Sequence, residues 1–576
     1  MTVGPWLSFL PVRWCSMNAG EELSMTLNHL VDMSCEKFAA LPAIGMAMAH
    51  PLTYEEMQRR IIALAASLQA EGIKKGGRIA ILAENSDRWG VVYLAAVRIG
   101  AIVVPILPDL PESDVHHILS EMKVGALFIT HRQLEKVYDF SGSFPELVVT
   151  LDDSDSFAEV FTVTSYSTYL ENALEGLQGQ EGAPHFPEVE EDDIASILYT
   201  SGTSGYSKAV MLSHGNFSAN AHAASELAEI EPGAVWLSIL PISHTYEFTC
   251  GFILPLLCGA RIAYAGKTPT PAILQKLCQH ERPFAIFAVP LVLEKIYKKR
   301  VLPQIEKSKL LTLICKTSLG RNFIYKRIGR KLIEFFGGNL GIMGIGGAAL
   351  NPEVAQFLTD AQFPYLIGYG MTEAAPLIAG GPLGDKTIAT GSTGKPLPGV
   401  QVKIVDGDAE TGVGEILARG PNVMQGYYND REESGRVLSE DGWLSTGDLG
   451  RLDAAGNLHI SGRLKNVIVM ANGENVYPEV IEHKINSFLW VVESLLLEKE
   501  NGLEASVYPD YEYVDEQTNG QSGEERRRFI EHLLEEMRIE VNATLSRSSH
   551  IARIFERREP FTKTATHKIK RYLYDT

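Results

Sequence analysis

Apolar runs and amphipathic stretches alternate through the first two thirds of the chain. Residues 78–108, RIAILAENSDRWGVVYLAAVRIGAIVVPILP, begin with an apolar run that ends at Asn85-Ser86-Asp87, which are residue types common at helix N-termini. A helical stretch follows, and a second run rich in Val and Ile begins after Gly100. This strand–helix–strand order predicts a parallel sheet with flanking helices, which is an α/β fold.

The same alternation recurs in four later strand-like runs that end in small residues. They are ARIAYAG (260–266), FAIFAVP (284–290), LGIMGIGG (340–347) and PYLIGYG (364–370). Ligands in such folds bind in the crevice beyond the carboxyl ends of the strands, where these small residues fall. We therefore expect a binding site at this edge of the sheet.

The pattern of apolar and polar residues changes after about residue 395. Short alternating runs with turn signals, such as VQVKIVDGD (400–408) and GEILARG (414–420), predict a β-rich subdomain over about 395–464. From residue 466 onward, short strands mix with helices. The polar stretch DEQTNGQSGEERRR (515–528) is predicted to be a loop that runs into a helix.

Composition narrows the class of protein. A chain of 576 residues is too long for a single hydrophobic core, so we expect two to four domains. Its net charge of −19 disfavours nucleic acid as the main partner. The six cysteines show no CxxC spacing, and no apolar run is long enough to span a membrane. The apolar N-terminal stretch is short, contains two prolines and has no basic start, so we expect a cytoplasmic protein. The segment 553–571 holds seven Lys or Arg against two Glu, which suits either a solvated surface or an anion contact.

The stretch YTSGTSGYSKAVMLSHGNF (199–217) joins two strand-like runs, so it predicts a hairpin with a flexible loop. Its glycines allow backbone N–H groups to point into one concavity, and its hydroxyls and Lys208 add donors and a positive charge. That pattern suits a phosphate contact, although a surface turn has the same composition. The spacing excludes a Walker A loop, which needs GxxxxGK[ST] before a helix.

This stretch resembles the first signature of the adenylate-forming enzymes, YTSGTTGxPKGVxxSH. The chain departs from that signature at Ser204, Ser207 and Ala209. In the family this loop clamps the β- and γ-phosphates of ATP. The resemblance therefore assigns nucleotide binding to Thr200, Ser201, Gly202, Thr203, Ser204, Gly205 and Lys208, with Thr203 and Lys208 also catalytic.

Five further blocks follow in the order of the same family. They are LPISHTYE (240–247), IGGAAL (345–350), YGMTEAAP (369–376), STGDLG (445–450) with GRLKNVIVMANGENVYPEVIE (462–482), and EPFTKTATHKIKR (559–571). Blocks so ordered over some 370 residues do not arise easily by chance.

These blocks supply the other candidate residues of a nucleotide and carboxylate site. The Tyr369 ring can stack on adenine, Thr372 can donate to the α-phosphate, and Glu373 can hold Mg²⁺. Asp448 can accept hydrogen bonds from both ribose hydroxyls. By resemblance, the remaining candidates are His244 beside the carboxylate as a catalytic residue, Gly347, Ala348 and Gly370 beside the nucleotide, Arg463 on ribose or phosphate, Lys465 as a hinge, Gly473 near the thiol acceptor, and Lys568 as the catalytic lysine.

The resemblance implies an enzyme that uses ATP and Mg²⁺ to activate a fatty acid as acyl-AMP and then transfers the acyl group to CoA. The blocks VPLVLEKIYKK (289–299) and NGENVYPEVIE (472–482) are most similar to long-chain fatty acid–CoA ligases. It further implies a large N-terminal domain (1–464) of mixed and parallel sheets with flanking helices, a hinge at 465 and a small, mobile α+β C-terminal domain (466–576).

Two main alternatives stay open at this level, and a luciferase-like oxidation of the same adenylate is a remote third. Acyl carrier protein can replace CoA as the acceptor, and a non-catalytic nucleotide-binding regulator can keep the fold without the chemistry. His567, which stands where the closing signature has glycine, is one of the departures that favour the regulator. A fatty substrate also leaves open a peripheral contact with the inner face of the membrane, although the sequence shows no evident amphipathic anchor.

Overall fold

The computed structural model describes residues 25–153, 163–179, 182–200, 207–306, 309–470, 475–500, 502–518, 522–564 and 568–575. In chain order the strands are β1 Pro42–Met46, β2 Leu52–Thr53, β3 Arg78–Leu82, β4 Ile102–Ile106, β5 Ala126–Ile129, β6 Leu147–Thr150, β7 Thr164–Ser165, β8 Ile194–Thr200, β9 Lys208–Ser213, β10 Val235–Ser238, β11 Arg261–Tyr264, β12 Ala285–Ala288, β13 Ile342–Ile345, β14 Tyr365–Ile367, β15 Tyr369–Gly370, β16 Leu377–Gly380, β17 Lys395–Pro396, β18 Gln401–Val405, β19 Gly414–Arg419, β20 Gly426–Tyr427, β21 Leu444–Leu452, β22 Leu458–Arg463, β23 Ile468–Val469, β24 Asn475–Val476, β25 Val491–Lys499, β26 Gly502–Pro509 and β27 Ile551–Glu556.

The α-helices are α1 Leu27–Lys37, α2 Tyr54–Ala70, α3 Asp87–Arg98, α4 Glu112–Met122, α5 Tyr166–Gln178, α6 His214–Ser225, α7 Thr245–Glu247, α8 Leu254–Leu257, α9 Pro271–Glu281, α10 Pro290–Ile296, α11 Leu302–Glu306, α12 Lys309–Cys315, α13 Ser318–Phe335, α14 Pro352–Asp360, α15 Arg431–Val437, α16 Pro478–Asn486, α17 Tyr511–Thr518 and α18 Gly523–Asn542. Two π-helical segments, Phe248–Ile253 and Tyr297–Val301, continue α7 and α10. No helix in the described ranges is both long and apolar enough to cross a membrane.

Two large sheets carry the predicted parallel strands. The eight-stranded sheet has the order β20-β9-β8-β4-β3-β5-β6-β7, and the seven-stranded sheet has the order β14-β13-β12-β10-β11-β1-β2. The strand–helix–strand prediction is confirmed, because β3 and β4 pair in parallel and α3 connects them. Ser86 is the N-cap of α3, and its side chain accepts a hydrogen bond from the Trp89 N–H. The four later runs are β11 to β14, all in parallel pairs of the second sheet.

The β-rich segment is also confirmed as a separate sheet. Strands β18, β19, β21 and β22 form a four-stranded antiparallel sheet in that order. The burial of β19 fits a strand with one buried face, since Gly414, Ile416 and Ala418 are buried and the residues between and after them are half-buried or exposed. The α/β class with a β-rich addition therefore stands.

The chain after residue 468 has a hydrophobic cluster of its own. Helices α16 and α18 pack with the sheet β25-β26-β27, and the cluster includes Trp490, Leu496 and Met537. One local prediction is wrong: residues 515–518 of the expected loop are the last turn of α17. Val514 and Thr518 of that helix are buried, so packing contacts favour the helical turn over the loop that a polar composition indicates.

An aromatic cluster in the core fixes the segment that follows His244. The Tyr93 ring is stacked on Trp89, with centroids 5.5 Å apart, and lies 4.5 Å from the ring of Phe248. Phe248 in turn lies 4.7 Å from Phe217 of α6. These rings are buried, so α7 and its π-helical continuation start from a rigid base.

Candidate active site

The predicted hairpin is present and brings Thr200 opposite Lys208. Strands β8 and β9 are antiparallel, and these two residues are the last pair in their register. The Thr200 hydroxyl donates to the Lys208 carbonyl at 3.4 Å. The candidates between them, Ser201, Gly202, Thr203, Ser204 and Gly205, lie outside the described residues.

Lys208 faces a tyrosine and a carboxylate from a remote part of the chain. Strand β20 pairs with β9 and sets Tyr427 opposite Val210, so the Lys208 ammonium lies 4.9 Å from the centre of the Tyr427 ring. The same ammonium forms an ion pair with Glu433 of α15, and its hydrogen bond lowers the pKa of that carboxyl. An anionic ligand at this hairpin would therefore compete with Glu433 for Lys208.

Glu373 is a buried carboxylate whose orientation is set by Tyr427. Only 8% of the residue is exposed, and its Oε1 accepts a hydrogen bond of 3.0 Å from the Tyr427 hydroxyl. Burial, followed by the charge of Glu373, raises the pKa of Tyr427, so the phenol keeps its proton and remains a donor. The Glu373 carbonyl also accepts from the Met424 N–H at 2.9 Å.

The carboxyl ends of two neighbouring strands lead directly into further candidate residues of the site. Gly347 and Ala348 follow β13 and are exposed, and Tyr369 and Gly370 follow the adjacent β14. Gly370 has a steric reason to be glycine, because a Cβ there would lie 1.9 Å from the Pro376 carbonyl oxygen. This edge thus presents exposed backbone next to the buried ring of Tyr369.

The Thr372 hydroxyl lies 3.4 Å from that of Thr245, which is the first residue of α7. His244 directly precedes that helix, and its Nδ1 accepts from the Tyr246 N–H at 3.2 Å. Burial, with a contribution from the charge of Lys568, lowers the pKa of His244 to about 4. The imidazole is therefore neutral at neutral pH, and the proton on Nε2 is available to donate to a ligand.

Asp448 is held by two side chains that the sequence analysis also selected. In the antiparallel pair β21–β22 it lies directly opposite Arg463, whose Nε is 2.7 Å from Asp448 Oδ1. The Tyr369 hydroxyl donates to Asp448 Oδ2 at 2.8 Å. Each carboxylate oxygen has a second lone pair, so Asp448 can still accept hydrogen bonds from a ligand.

Lys568 and Lys465 complete a cluster of positive charges around these carboxylates. Lys568 is exposed to solvent, but neighbouring protein partly desolvates its ammonium. This desolvation, followed by repulsion from Arg463, lowers the pKa of Lys568, whereas the charges of Asp448 and Glu373 act to raise it. The pKa of Lys465 is lowered by desolvation and then by the charges of Arg463, Lys208 and Lys568. The charges of Lys208, Arg463 and Lys568 thus all act on Lys465, and a group of cations of this kind suits a polyanion.

The structure also separates the two lysines that compete for the role in the closing block. Lys563 forms an ion pair with the buried Glu493, whereas Lys568 lies within electrostatic reach of Arg463 and His244. Gly473 and His567 lie outside the described residues. Tyr427 and Glu433 are not predicted from the sequence, because the block GYYNDREES (426–434) carries no recognisable signal by itself.

These elements match known proteins in both sequence and fold. A model of the AMP-binding enzyme family matches residues 31–428, which include the hairpin, His244 and Glu373. The chain belongs to the AMP-binding enzyme family. The other candidates of this AMP-binding enzyme, including Asp448 and Lys568, follow the matched stretch.

Two curated relatives extend the comparison. The AMP-binding enzyme is 31% identical over 468 residues to the peroxisomal long chain acyl-CoA synthetase 7 of Arabidopsis thaliana, a match that covers 75% of this chain and 64% of the relative. It is 29% identical over 509 residues to the long-chain-fatty-acid–CoA ligase heimdall of Drosophila melanogaster, with 82% of this chain and 74% of that relative covered. The chain thus spans just under two thirds of the length of the plant relative.

A solved structure shows that the fold is shared along the chain. The AMP-binding enzyme superposes on the crystal structure of ATP-bound MatB from Rhodopseudomonas palustris with a TM-score of 0.73 and 23% identity. The superposition covers 96% of this chain and 98% of the other. The expected α/β architecture is therefore confirmed well beyond residue 428.

Proposed function

We propose that this AMP-binding enzyme is an AMP-forming fatty acid–CoA ligase. In the first step a carboxylate oxygen attacks the α-phosphorus of ATP, the bond to the pyrophosphate oxygen breaks, and acyl-AMP forms. In the second step the thiol of CoA attacks the acyl carbon and AMP leaves. The relatives named as long-chain acyl-CoA synthetases support the substrate class. The observation that carries the proposal is a group of cations beside two fixed carboxylates: Asp448 is bound by Arg463, Glu373 is bound by Tyr427 under the Lys208 ammonium, and the charges of both carboxylates act on Lys568.

The main task of the first step is charge compensation, because both reactants are anions. Lys208 and Lys568 would bind phosphate oxygens, and the neutral His244 would donate its Nε2–H to the attacking carboxylate without quenching its charge. A general base is unnecessary, since a carboxylic acid is already ionised at neutral pH. Asp448, held by Arg463 and Tyr369, would accept hydrogen bonds from the ribose hydroxyls.

Glu373 fits a Mg²⁺ ligand in this scheme. Mg²⁺ is usually bound through one or two carboxylates, with phosphate oxygens and waters filling its octahedron, and Glu373 is a buried carboxylate with a fixed orientation. When bound, the ion would neutralise charge on the phosphates of ATP. The residues described here contain no cluster of three or more His, Cys, Asp or Glu suited to a metal, so phosphate oxygens are needed as ligands.

Replacing Tyr427 with Phe removes the hydrogen bond that orients Glu373. We expect the apparent affinity for Mg²⁺ in pyrophosphate release to fall about tenfold, as is typical when a partner of a metal ligand is lost. A Mg²⁺ titration at saturating ATP measures the effect. Tyr428→Phe is the matched control, because Tyr428 accepts from Arg78 and not from the site. Equal Mg²⁺ dependence in both variants would contradict the role of Tyr427.

We further propose that residues 466–576 form a domain that moves about Lys465 between the two steps. A set of contacts ties that segment to the π-helix Tyr297–Val301. Lys298 donates to the carbonyls of Asn486, Phe488 and Val491, the last two at 3.0 and 3.3 Å. The arrangement that presents Lys568 to the site would be stabilised by these bonds, which have to break when the domain rotates.

Lys298→Met therefore should shift the balance between the two steps. Hydrogen bonds to a charged group contribute about 1.5–3 kcal/mol, so we expect the rate of pyrophosphate release to fall by about tenfold. Transfer from supplied acyl-AMP to CoA should be unchanged or faster. Lys295→Met, at an exposed position on the same helical segment, is the control. Parallel losses in both steps would show that Lys298 only supports folding.

Carboxylate-dependent pyrophosphate release tests the whole proposal. The full chain is assayed with Mg-ATP and acids from acetate to stearate, and benzoate, first without a thiol and then with CoA. Release selective for long acids, accelerated by CoA with formation of acyl-CoA and AMP, is the expected result. Acceleration by acyl carrier protein and not by CoA would make acyl carrier protein the acceptor. ATP binding without any pyrophosphate release would favour the non-catalytic regulator.

The cytoplasm stays the predicted compartment.

A further inference from the structure

Helix α13 carries large apolar side chains on its solvent side. Leu319 is 84% exposed and Phe323 is 67% exposed, and Leu313 of the preceding α12 is 63% exposed. Lys326 and Arg330 follow Leu319 at seven and eleven positions, which places them on the same side of an α-helix. We call Leu319, Phe323, Lys326, Arg327 and Arg330 the basic face; all five are exposed.

The opposite side of α13 packs against α14 and fixes which way the basic face points. The Tyr325 ring lies 5.1 Å from the ring of Phe357. The backbone at Gly329 is so close to the end of α14 that a Cβ would lie 2.3 Å from the Ala361 carbonyl oxygen. Leu332 is buried on the same side. The basic face is therefore held toward solvent by close packing on the other side of the helix.

The charge of this surface is opposite to that of the protein. Residues 316–331 contain six Lys or Arg and no Asp or Glu, in a chain whose net charge is −19. Arg321 pairs with Asp360 at 3.4 Å, but within the described residues Lys326, Arg327, Arg330 and Lys331 have no ion-pair partner. By contrast, the exposed arginines Arg527 and Arg528 of α18 both pair with glutamates of their own helix.

We propose that the basic face docks the protein on a membrane surface that contains anionic phospholipid. Unpaired cations beside protruding Leu and Phe side chains are the chemistry of interfacial helices, in which cations contact headgroups and apolar residues enter the acyl boundary. An acidic soluble protein would satisfy the cations but offers no acyl boundary to Leu319 and Phe323. The choice of a membrane also draws on the proposed function, because long-chain acids partition into bilayers.

Co-sedimentation of the full chain with vesicles tests this surface without any catalytic step. We expect binding to vesicles of mixed phosphatidylcholine and phosphatidylserine and weak binding to phosphatidylcholine alone. Each cation near an anionic surface strengthens binding about fivefold, so K326Q/R330Q should bind roughly 30-fold more weakly. L319S/F323S should also bind more weakly, although its charge is unchanged.

R527Q/R528Q is the matched control, because it removes two exposed positive charges from another helix and should bind like the wild type. Wild-type binding by K326Q/R330Q, or binding to acyl carrier protein but not to vesicles, would overturn the proposal. Pyrophosphate release with the acid that the wild type uses best, supplied without vesicles, is measured in parallel and should be the same in all four proteins. If K326Q/R330Q loses vesicle binding but keeps normal pyrophosphate release, the docking surface is supported. If the wild type binds vesicles but none of the four proteins releases pyrophosphate, only the proposed ligase function is rejected.

Discussion

Lys568→Ala should lower carboxylate-dependent pyrophosphate release by about 10²–10³-fold, the typical cost of removing one preorganised donor from a charge-developing transition state. Lys568 lies within electrostatic reach of Arg463, Asp448 and Glu373, where the phosphates of ATP would accumulate negative charge. The second step needs no such compensation, because the acyl-AMP carries one phosphate and AMP is its leaving group. Thioester formation from supplied acyl-AMP and CoA should therefore proceed at the wild-type rate.

Separate assays of the two steps measure this difference. Lys570→Ala is the control, because it removes the same charge from the same segment two residues away, and both of its steps should stay within a few-fold of wild type. Equal losses in both steps of Lys568→Ala would mean that the lysine supports the fold or the binding of AMP. Normal pyrophosphate release would remove Lys568 from the chemistry altogether.

Lys465→Pro should have the reverse effect, preserving acyl-AMP formation and lowering acyl transfer to CoA by about 10²-fold, the cost of a misplaced reacting group. Lys465 lies in the short 3-10 turn Leu464–Asn466, between β22 and the C-terminal segment 466–576. Proline fixes its own φ near −65° and restricts the residue before it, so a rotation about this position is blocked. The arrangement seen here, with Lys568 at the site, would be retained.

Lys465→Ala separates the backbone effect from the loss of the side chain. The Lys465 ammonium lies close enough to Arg463, Lys208 and Lys568 for their charges to lower its pKa, so alanine should weaken ATP binding modestly. It should still allow acyl transfer, which is followed with supplied acyl-AMP. The hinge assignment is wrong if transfer survives in Lys465→Pro, or if Lys465→Ala blocks transfer to the same extent.

The parts of the site that the sequence predicted are those in which one short stretch carries the whole signal. The hairpin that ends at Thr200 and Lys208 follows from two strand-like runs around a flexible loop, and the structure pairs them in register. The four parallel strands were recognisable by their apolar runs and small terminal residues. Asp448 and Arg463 were both selected, because each stands in a block with a recognisable residue order.

Other contacts join segments that give no local signal. Tyr427 and Glu433 lie more than 200 residues after Lys208, and only the pairing of β20 with β9 brings them to its ammonium. The block 559–571 contains two candidate lysines. In the folded chain Lys563 forms an ion pair with Glu493, whereas Lys568 lies near the charged residues of the site. The helical turn at 515–518 likewise depends on the burial of Val514 and Thr518.

The sequence by itself determined the α/β class, the β-rich segment, the family and most of the candidate residues of the site. Its strand and helix periods, and the order of short motifs, are carried within a few neighbouring residues, so they can be recognised without coordinates. The tertiary structure decided which carboxylate orients which cation, which lysine reaches the cleft and which side of α13 meets solvent. Those relations depend on packing between segments far apart in the chain, where side-chain volume and burial, and not local preference, select the partner.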